Sequence, residues 1–112
     1  MDDIEFVDQT MRDAQQSLWG FRMSTGSILP IAPVIDRVGY KAVCVNGGRG
    51  AVVAARYLKE NLFERFRLLS RIMKKTPLRS SFSPWSAFGF DIEPVAPIEL
   101  WIRETAVSYT HL

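Results

Sequence analysis

K-A-V-C-V-N-G-G, residues 41–48, is the stretch on which the fold turns. Its centre, Ala42, Val43, Cys44 and Val45, is apolar at every position, with Lys41 before it and Asn46-Gly47-Gly48 after it. A strand with one wet face alternates apolar and polar residues; a strand buried on both faces does not, and burial on both faces is the habit of parallel sheets. Upstream, residues 4–7 alternate apolar and polar side chains, which predicts a short first strand running into Asp8. Ser24-Thr25-Gly26-Ser27 offers helix-starting caps, and Ile28, Ile31, Ala32, Ile35 and Val38 recur behind it at helical spacing. Pro30 suits a first turn, Pro33 should distort the helix, and Gly39 should end it. Downstream, residues 50–59 hold few helix breakers and predict a short helix. Residues 62–74 predict an amphipathic one, with Leu62, Phe66, Leu69 and Met73 on one face and Arg67, Arg71, Lys74 and Lys75 opposite. Residues 77–82 predict a third strand, and Pro94 or Pro97 opens a last helix carrying Ile98, Trp101 and Ile102.

Strand and helix in alternation predict an α/β fold with a parallel sheet, whose crossovers are right-handed and leave successive strands adjacent. The architecture expected is the N-terminal β/α units of a (β/α)8 TIM barrel, incomplete, because a closed barrel takes about 250 residues and the chain has 112. Residues 1–105 are assigned to that barrel. Residues 106–112, A-V-S-Y-T-H-L, break the periodicity of the last helix and resemble the translated adapter sequence found at the ends of reading frames from fragmented assemblies. A non-native tail is expected there, and the single histidine, His111, is excluded from every site on that ground.

Apolar residues at 47% and charged residues at 23% describe a globular chain. A net charge of +2 gives no reason to expect nucleic acid or a membrane surface as partner. No apolar run approaches the ~20 residues that span a bilayer. The first residues, M-D-D-I-E, are acidic where a secretory leader would be basic, and one cysteine allows no internal disulfide, so a cytoplasmic location is expected.

V-D-Q-T-M-R-D-A-Q-Q-S-L-W-G-F-R-M, residues 7–23, crowds acids, arginines and amides behind the first strand. So polar a segment is not expected to be core. Parallel barrels place their active sites where strands end and βα loops begin. There Asp13 can offer a hard oxygen ligand to a divalent cation. Arg12 can hold a carboxylate or an enolate oxygen through its permanently charged planar fork, and Gln16 can orient a substrate carbonyl. On residue types alone, Asp13 capping a turn and Arg12 solvated is the preferred reading.

T-M-R-D-A-Q-Q-S-L-W, residues 10–19, resembles the first-strand motif, close to T-L-R-D-A-H-Q-S-L, of the carboxyltransferase domain shared by pyruvate carboxylase, the oxaloacetate decarboxylase alpha subunit and transcarboxylase. The resemblance continues through R-M-S-T-G-S-I-L-P-I-A-P-V-I-D-R-V-G-Y, V-N-G-G, A-A-R-Y-L-K-E, F-E-R-F-R-L-L and K-K-T-P-L-R to W-I-R-E near Arg103. It implies a metal-dependent barrel that forms an enolate of pyruvate or a similar 2-oxo acid and exchanges carbon dioxide with biotin. It further implies a divalent metal (zinc, manganese or cobalt), biotin supplied in trans by a carrier domain or subunit, and a homo-oligomeric full-length form. Carried over residue by residue, Asp13 matches the metal-ligand aspartate, Arg12 the arginine at the reaction centre and Gln16 the active-site glutamine.

The match is not uniform. The family often has glutamate where Cys44 stands and aspartate where Val52 stands, and its substrate-binding arginine aligns with Ser83. Its other metal ligands, a carbamylated lysine and a His-x-His pair, lie on later strands that residues 1–112 do not encode. The chain alone is therefore expected to be inactive. An aldol-type lyase or synthase of the same superfamily, or a non-catalytic divergent fragment, is the alternative. Gly47-Gly48-Arg49-Gly50 lacks phosphate-loop spacing and reads as a tight βα turn with glycine at positive φ. Cys44 reads as a buried strand thiol, and Trp19, Phe21, Trp85, Phe88 and Phe90 as packing residues.

Overall fold

The computed structural model describes residues 3–81 and 95–110. Its sheet is three-stranded and wholly parallel, in the order β1 (Val7–Asp8), β2 (Ala42–Gly47), β3 (Leu78–Ser81). The run that predicted a buried strand is one: Val43, Cys44 and Val45 are all buried. The first strand sits later than the alternation suggested. Val7 pairs with Ala42 and Asp8 with Val43, so residues before Val7 run past the start of β2. Ile4 and Phe6 are left exposed, although the Lys41 amide still donates to the Phe6 carbonyl at 2.8 Å.

Between β1 and β2 the chain makes a π-helical turn (Thr10–Ala14) and the short helices α1 (Gln15–Trp19), α2 (Thr25–Ile28) and α3 (Ala32–Asp36). Ser24 caps α2 as expected, its hydroxyl accepting the Ser27 amide at 3.2 Å. The distortion expected at Pro33 is a complete break. Residues 29–31 leave the helix and Pro33 sits in the first turn of α3, where a missing N–H costs nothing. Gly39, at φ 91°, turns the chain toward β2 in a conformation open to glycine.

From β2 the chain passes directly into α4 (Gly48–Val53), so no separate turn intervenes at Gly47-Gly48. The described glycines at positive φ are Gly20 and Gly39. A second π-helical segment (Ala54–Leu58) precedes α5 (Leu62–Ile72), which buries Leu62, Phe66 and Leu69, with Met73 just beyond it, on the predicted face. These residues join Met11, Ile28, Ala32, Val43 and Val45 in one core between the sheet and its helices. Met11 and Phe21 are buried too, so the polar segment behind β1 does contribute to the interior, contrary to expectation. Trp19 is 56% exposed.

The last helix, α6, runs Val95–Thr110, through part of the stretch expected to form a tail, and Ser108 is buried on it. Pro97 lies in its first turn. Ile98 and Trp101 face the core, the Trp101 ring lying 5.3 Å from Phe63 of α5, while Ile102 is exposed at the margin. The expectations for Ser83, Trp85, Phe88, Phe90, Pro94 and His111 lie outside the described residues.

Candidate active-site rim

Asp8 ends β1, and its carboxylate folds over the next turn. It accepts the Thr10 amide at 3.1 Å and the Thr10 hydroxyl at 2.8 Å, which fixes where the following segment starts. Side-chain closure of this kind lets a short polar residue launch a turn. The segment then winds wider than an α-helix, the Ala14 amide reaching the Gln9 carbonyl five residues back at 3.1 Å. Such π turns are rare and occur often at functional sites.

This turn carries two of the three candidate residues, and α1 carries the third. Asp13 projects outward, its side chain 58% exposed, with Arg12 Nη1 donating to Oδ1 at 3.2 Å. An exposed pair between neighbours contributes little to stability, so it leaves the carboxylate free to exchange partners. Arg12 is less exposed, at 29%, and its Nε is buried with no hydrogen-bond partner. Gln16, one helical turn further on, has Oε1 buried and likewise without a partner. Buried polar atoms in folded proteins almost always have partners. Arg12 and Gln16, one turn apart, thus each keep a polar atom without a partner, in the segment that also carries the exposed Asp13 carboxylate.

The fit to a divalent metal is partial. Asp13 supplies one hard oxygen donor of the right kind, but no group of three or more His, Cys, Asp and Glu side chains able to hold an ion occurs among the described residues. Cys44, between Val43 and Val45 on β2, points to the sheet face opposite them, and its Sγ lies 3.5 Å from the Ser81 hydroxyl. The position holds a thiol within hydrogen-bond reach of a hydroxyl.

Behind the rim lies a group of residues that residue typing missed. Gln15 is buried where Gln16 is not. Its Nε2 donates to the Met11 carbonyl inside the π turn, and its Oε1 accepts the Met23 amide at 3.2 Å. Gly20 and Phe21, both in the left-handed region at φ 58° and 65°, reverse the chain so that Met23 can reach it. Arg65 of α5 is buried to 2% exposure. It donates from Nη2 to the Met23 carbonyl at 3.1 Å and to Glu60 Oε2 at 2.8 Å, and from Nε to the Thr25 hydroxyl at 2.8 Å. Glu60 in turn accepts the Thr25 amide and hydroxyl. The signal for Arg65 was available: residues 62, 65, 66 and 69 form one helical stripe, and a cation on an apolar stripe must find a partner.

Glu60 titrates below the ordinary carboxylate range. Burial alone raises its pKa. The hydrogen bonds from the Thr25 hydroxyl, Arg65 and the Thr25 amide, together with the Arg65 charge, outweigh that and lower it from 4.5. The folded chain therefore binds fewer protons here than the unfolded one. This part of the stability is present above the unfolded pKa and is lost as pH falls through the depressed folded value. Urea denaturation is expected to show a decline below about pH 4.5 that is weaker in Glu60→Gln; an unchanged acid dependence in that variant would refute the assignment.

No protein-family model matches the chain. Among curated proteins it is 37% identical over 99 residues to a pyruvate carboxylase subunit of Methanocaldococcus jannaschii, covering 88% of this chain and 18% of that one. It is 38% identical over 87 residues to the 2-oxoglutarate carboxylase large subunit of Hydrogenobacter thermophilus, covering 78% and 13% respectively. The carboxyl transferase domain of Rhizobium etli pyruvate carboxylase superposes on it with a TM-score of 0.86 at 25% identity, across 100% of this chain and 19% of that domain's chain. The chain thus spans less than a fifth of the length of these curated relatives. No described helix is long and apolar enough to cross a membrane.

Proposed function

The chain belongs to the family of carboxyltransferase domains of pyruvate carboxylase and related carboxylases, and from that premise we propose that it supplies the first rim of an active site for biotin-linked carboxyl transfer involving a 2-oxo acid. One observation supports this reading above the others: Arg12 Nε and Gln16 Oε1 are buried and unpartnered in the segment that follows the first strand and carries the exposed Asp13 carboxylate. Strand tips are where parallel barrels do their chemistry.

Each residue has a distinct task in this reading. Arg12 holds the negative charge that develops on the substrate oxygen as the enolate forms; its guanidinium stays protonated and needs no reorganisation. Gln16 carries donors and an acceptor in one amide, so it can follow the same oxygen between its carbonyl and enol forms. Asp13 is the residue that would hold a divalent ion, and bound there such an ion supplies Lewis acidity toward the 2-oxo group. With a single candidate ligand on the rim, we propose that the chain by itself binds metal weakly and does not turn over. The carboxylase and carboxyltransferase names of the relatives favour this reading over an aldol-type lyase.

Manganese titration of the isotope-labelled chain in the presence of pyruvate, followed by paramagnetic broadening of its NMR signals, tests the reading. Broadening is expected to centre on Arg12, Asp13 and Gln16, to require roughly millimolar ion because one carboxylate is a poor site, and to vanish in Asp13→Ala. Broadening centred elsewhere, or unchanged in Asp13→Ala, would contradict it. Micromolar binding lost in Asp13→Ala would contradict the weak-site claim.

A further inference from the structure

We propose that Gln15 is a positioning residue, one that clamps the π turn and so aims Arg12, Asp13 and Gln16, with Arg65 anchoring the far side of the clamp; the proposal rests on the reading of those three residues as an active-site rim. The peptide at Met23 is gripped from both sides. Its amide donates to Gln15 Oε1 at 3.2 Å, and its carbonyl accepts from Arg65 Nη2 at 3.1 Å. Gln15 Nε2 extends the chain of bonds to the Met11 carbonyl, inside the turn that carries Arg12 and Asp13. The two contacts fix the orientation of the Gln15 amide, because a carbonyl can only accept and an N–H can only donate.

A π turn releases one more backbone carbonyl from the i→i−4 ladder than an α-helix does, and any buried group so released needs another partner. Gln15 Nε2 donates to the carbonyl of Met11, the fully buried residue of the turn, and can serve as such a partner. Without it, relaxation to an α-helix rotates each following side chain by about 100° per residue displaced. That rotation would swing Arg12 and Asp13 relative to Gln16. Arg65 belongs to a different helix and hydrogen-bonds to Met23, Thr25 and Glu60, so its influence on the rim runs through Met23.

The discriminating feature is donor–acceptor pattern rather than bulk. Gln15→Met keeps length and loses both bonds. Neutral histidine offers one donor and one acceptor, so Gln15→His can restore the bridge. Hydrogen exchange of the Met23 amide reads the clamp directly, backbone chemical shifts of residues 10–14 read the turn, and manganese broadening at Asp13 reads the aim. In Gln15→Met, at a temperature where the chain still melts cooperatively, Met23 exchange is expected to rise about tenfold, the cost of one such hydrogen bond. The shifts of residues 10–14 should move and the broadening at Asp13 should weaken, while Gln15→His returns exchange and shifts toward wild type.

Wild-type shifts in Gln15→Met, or lowered stability with unchanged broadening, would overturn the proposal. Absence of broadening in the wild-type chain would count against the rim as a metal site, while exchange and shifts would still decide whether Gln15 holds the turn. Should Gln15→Met fail to fold, Gln15→Glu carries the test: it keeps the acceptor toward Met23 and removes the donor to Met11, so the turn should shift while Met23 stays protected. Unmoved shifts in Gln15→Glu would likewise overturn the proposal.

Discussion

Arg65→Met is expected to lower stability by about 3 kcal/mol, because a buried cation is removed from several hydrogen-bonded partners and each buried group left unsatisfied costs about 1–3 kcal/mol. Small domains hold only about 5–15 kcal/mol in total, so the variant should be largely unfolded in mild denaturant, as urea titration by circular dichroism would show. The magnitude follows from what the guanidinium leaves behind. The Met23 carbonyl and the Thr25 hydroxyl each lose a donor, and Glu60, with its side chain 26% exposed, loses the charge that stabilises its ionised form. Methionine fills much of the space, which separates this loss from a cavity effect. Adding Glu60→Gln to Arg65→Met should recover part of the loss, because a neutral amide is cheaper to bury than an unpaired carboxylate. A cost below about 1 kcal/mol, the level of a surface pair, would show that the network does not hold the three segments together.

That network also marks where the sequence stops being readable. The parallel sheet was visible in four consecutive apolar residues at 42–45, since no amphipathic alternation could place them. The face of α5 was visible in the spacing of Leu62, Phe66, Leu69 and Met73, and the break near Pro33 in the missing N–H of proline. Each of these depends on residues within a turn or two of one another. Glu60 and Arg65 reach Thr25 across 35 and 40 residues, and Asp36 accepts the amides of Lys75 and Thr76 across 39 and 40. No local pattern encodes such partners. The position of β1 was misplaced for the same reason: its register is set by where Ala42 begins the neighbouring strand, not by its own alternation.

The rim was legible to a different degree. Arg12, Asp13 and Gln16 were nominated by residue type, their expected place after a strand and a family resemblance, and the structure places all three just beyond the tip of β1. The means by which they are held was not legible. A π turn has no residue signature of its own, and Gln15 looks no different from Gln16 until one is seen buried between two backbone groups and the other left with an unpaired oxygen. The family motif has histidine where Gln15 stands. Both side chains can present a donor and an acceptor at once, which is the property the clamp requires.

If these rim residues belong to a carboxyl-transfer site, a segment exchange will reveal it. The aligned stretch of the Methanocaldococcus jannaschii pyruvate carboxylase would be replaced by this chain and oxaloacetate formation from pyruvate measured. Turnover is expected in the folded hybrid, reduced by Asp13→Ala about a thousandfold, or about 4 kcal/mol in the barrier, with little change in melting temperature because Asp13 is exposed and pairs with its neighbour Arg12. A folded hybrid whose turnover is indifferent to Asp13→Ala would contradict that assignment.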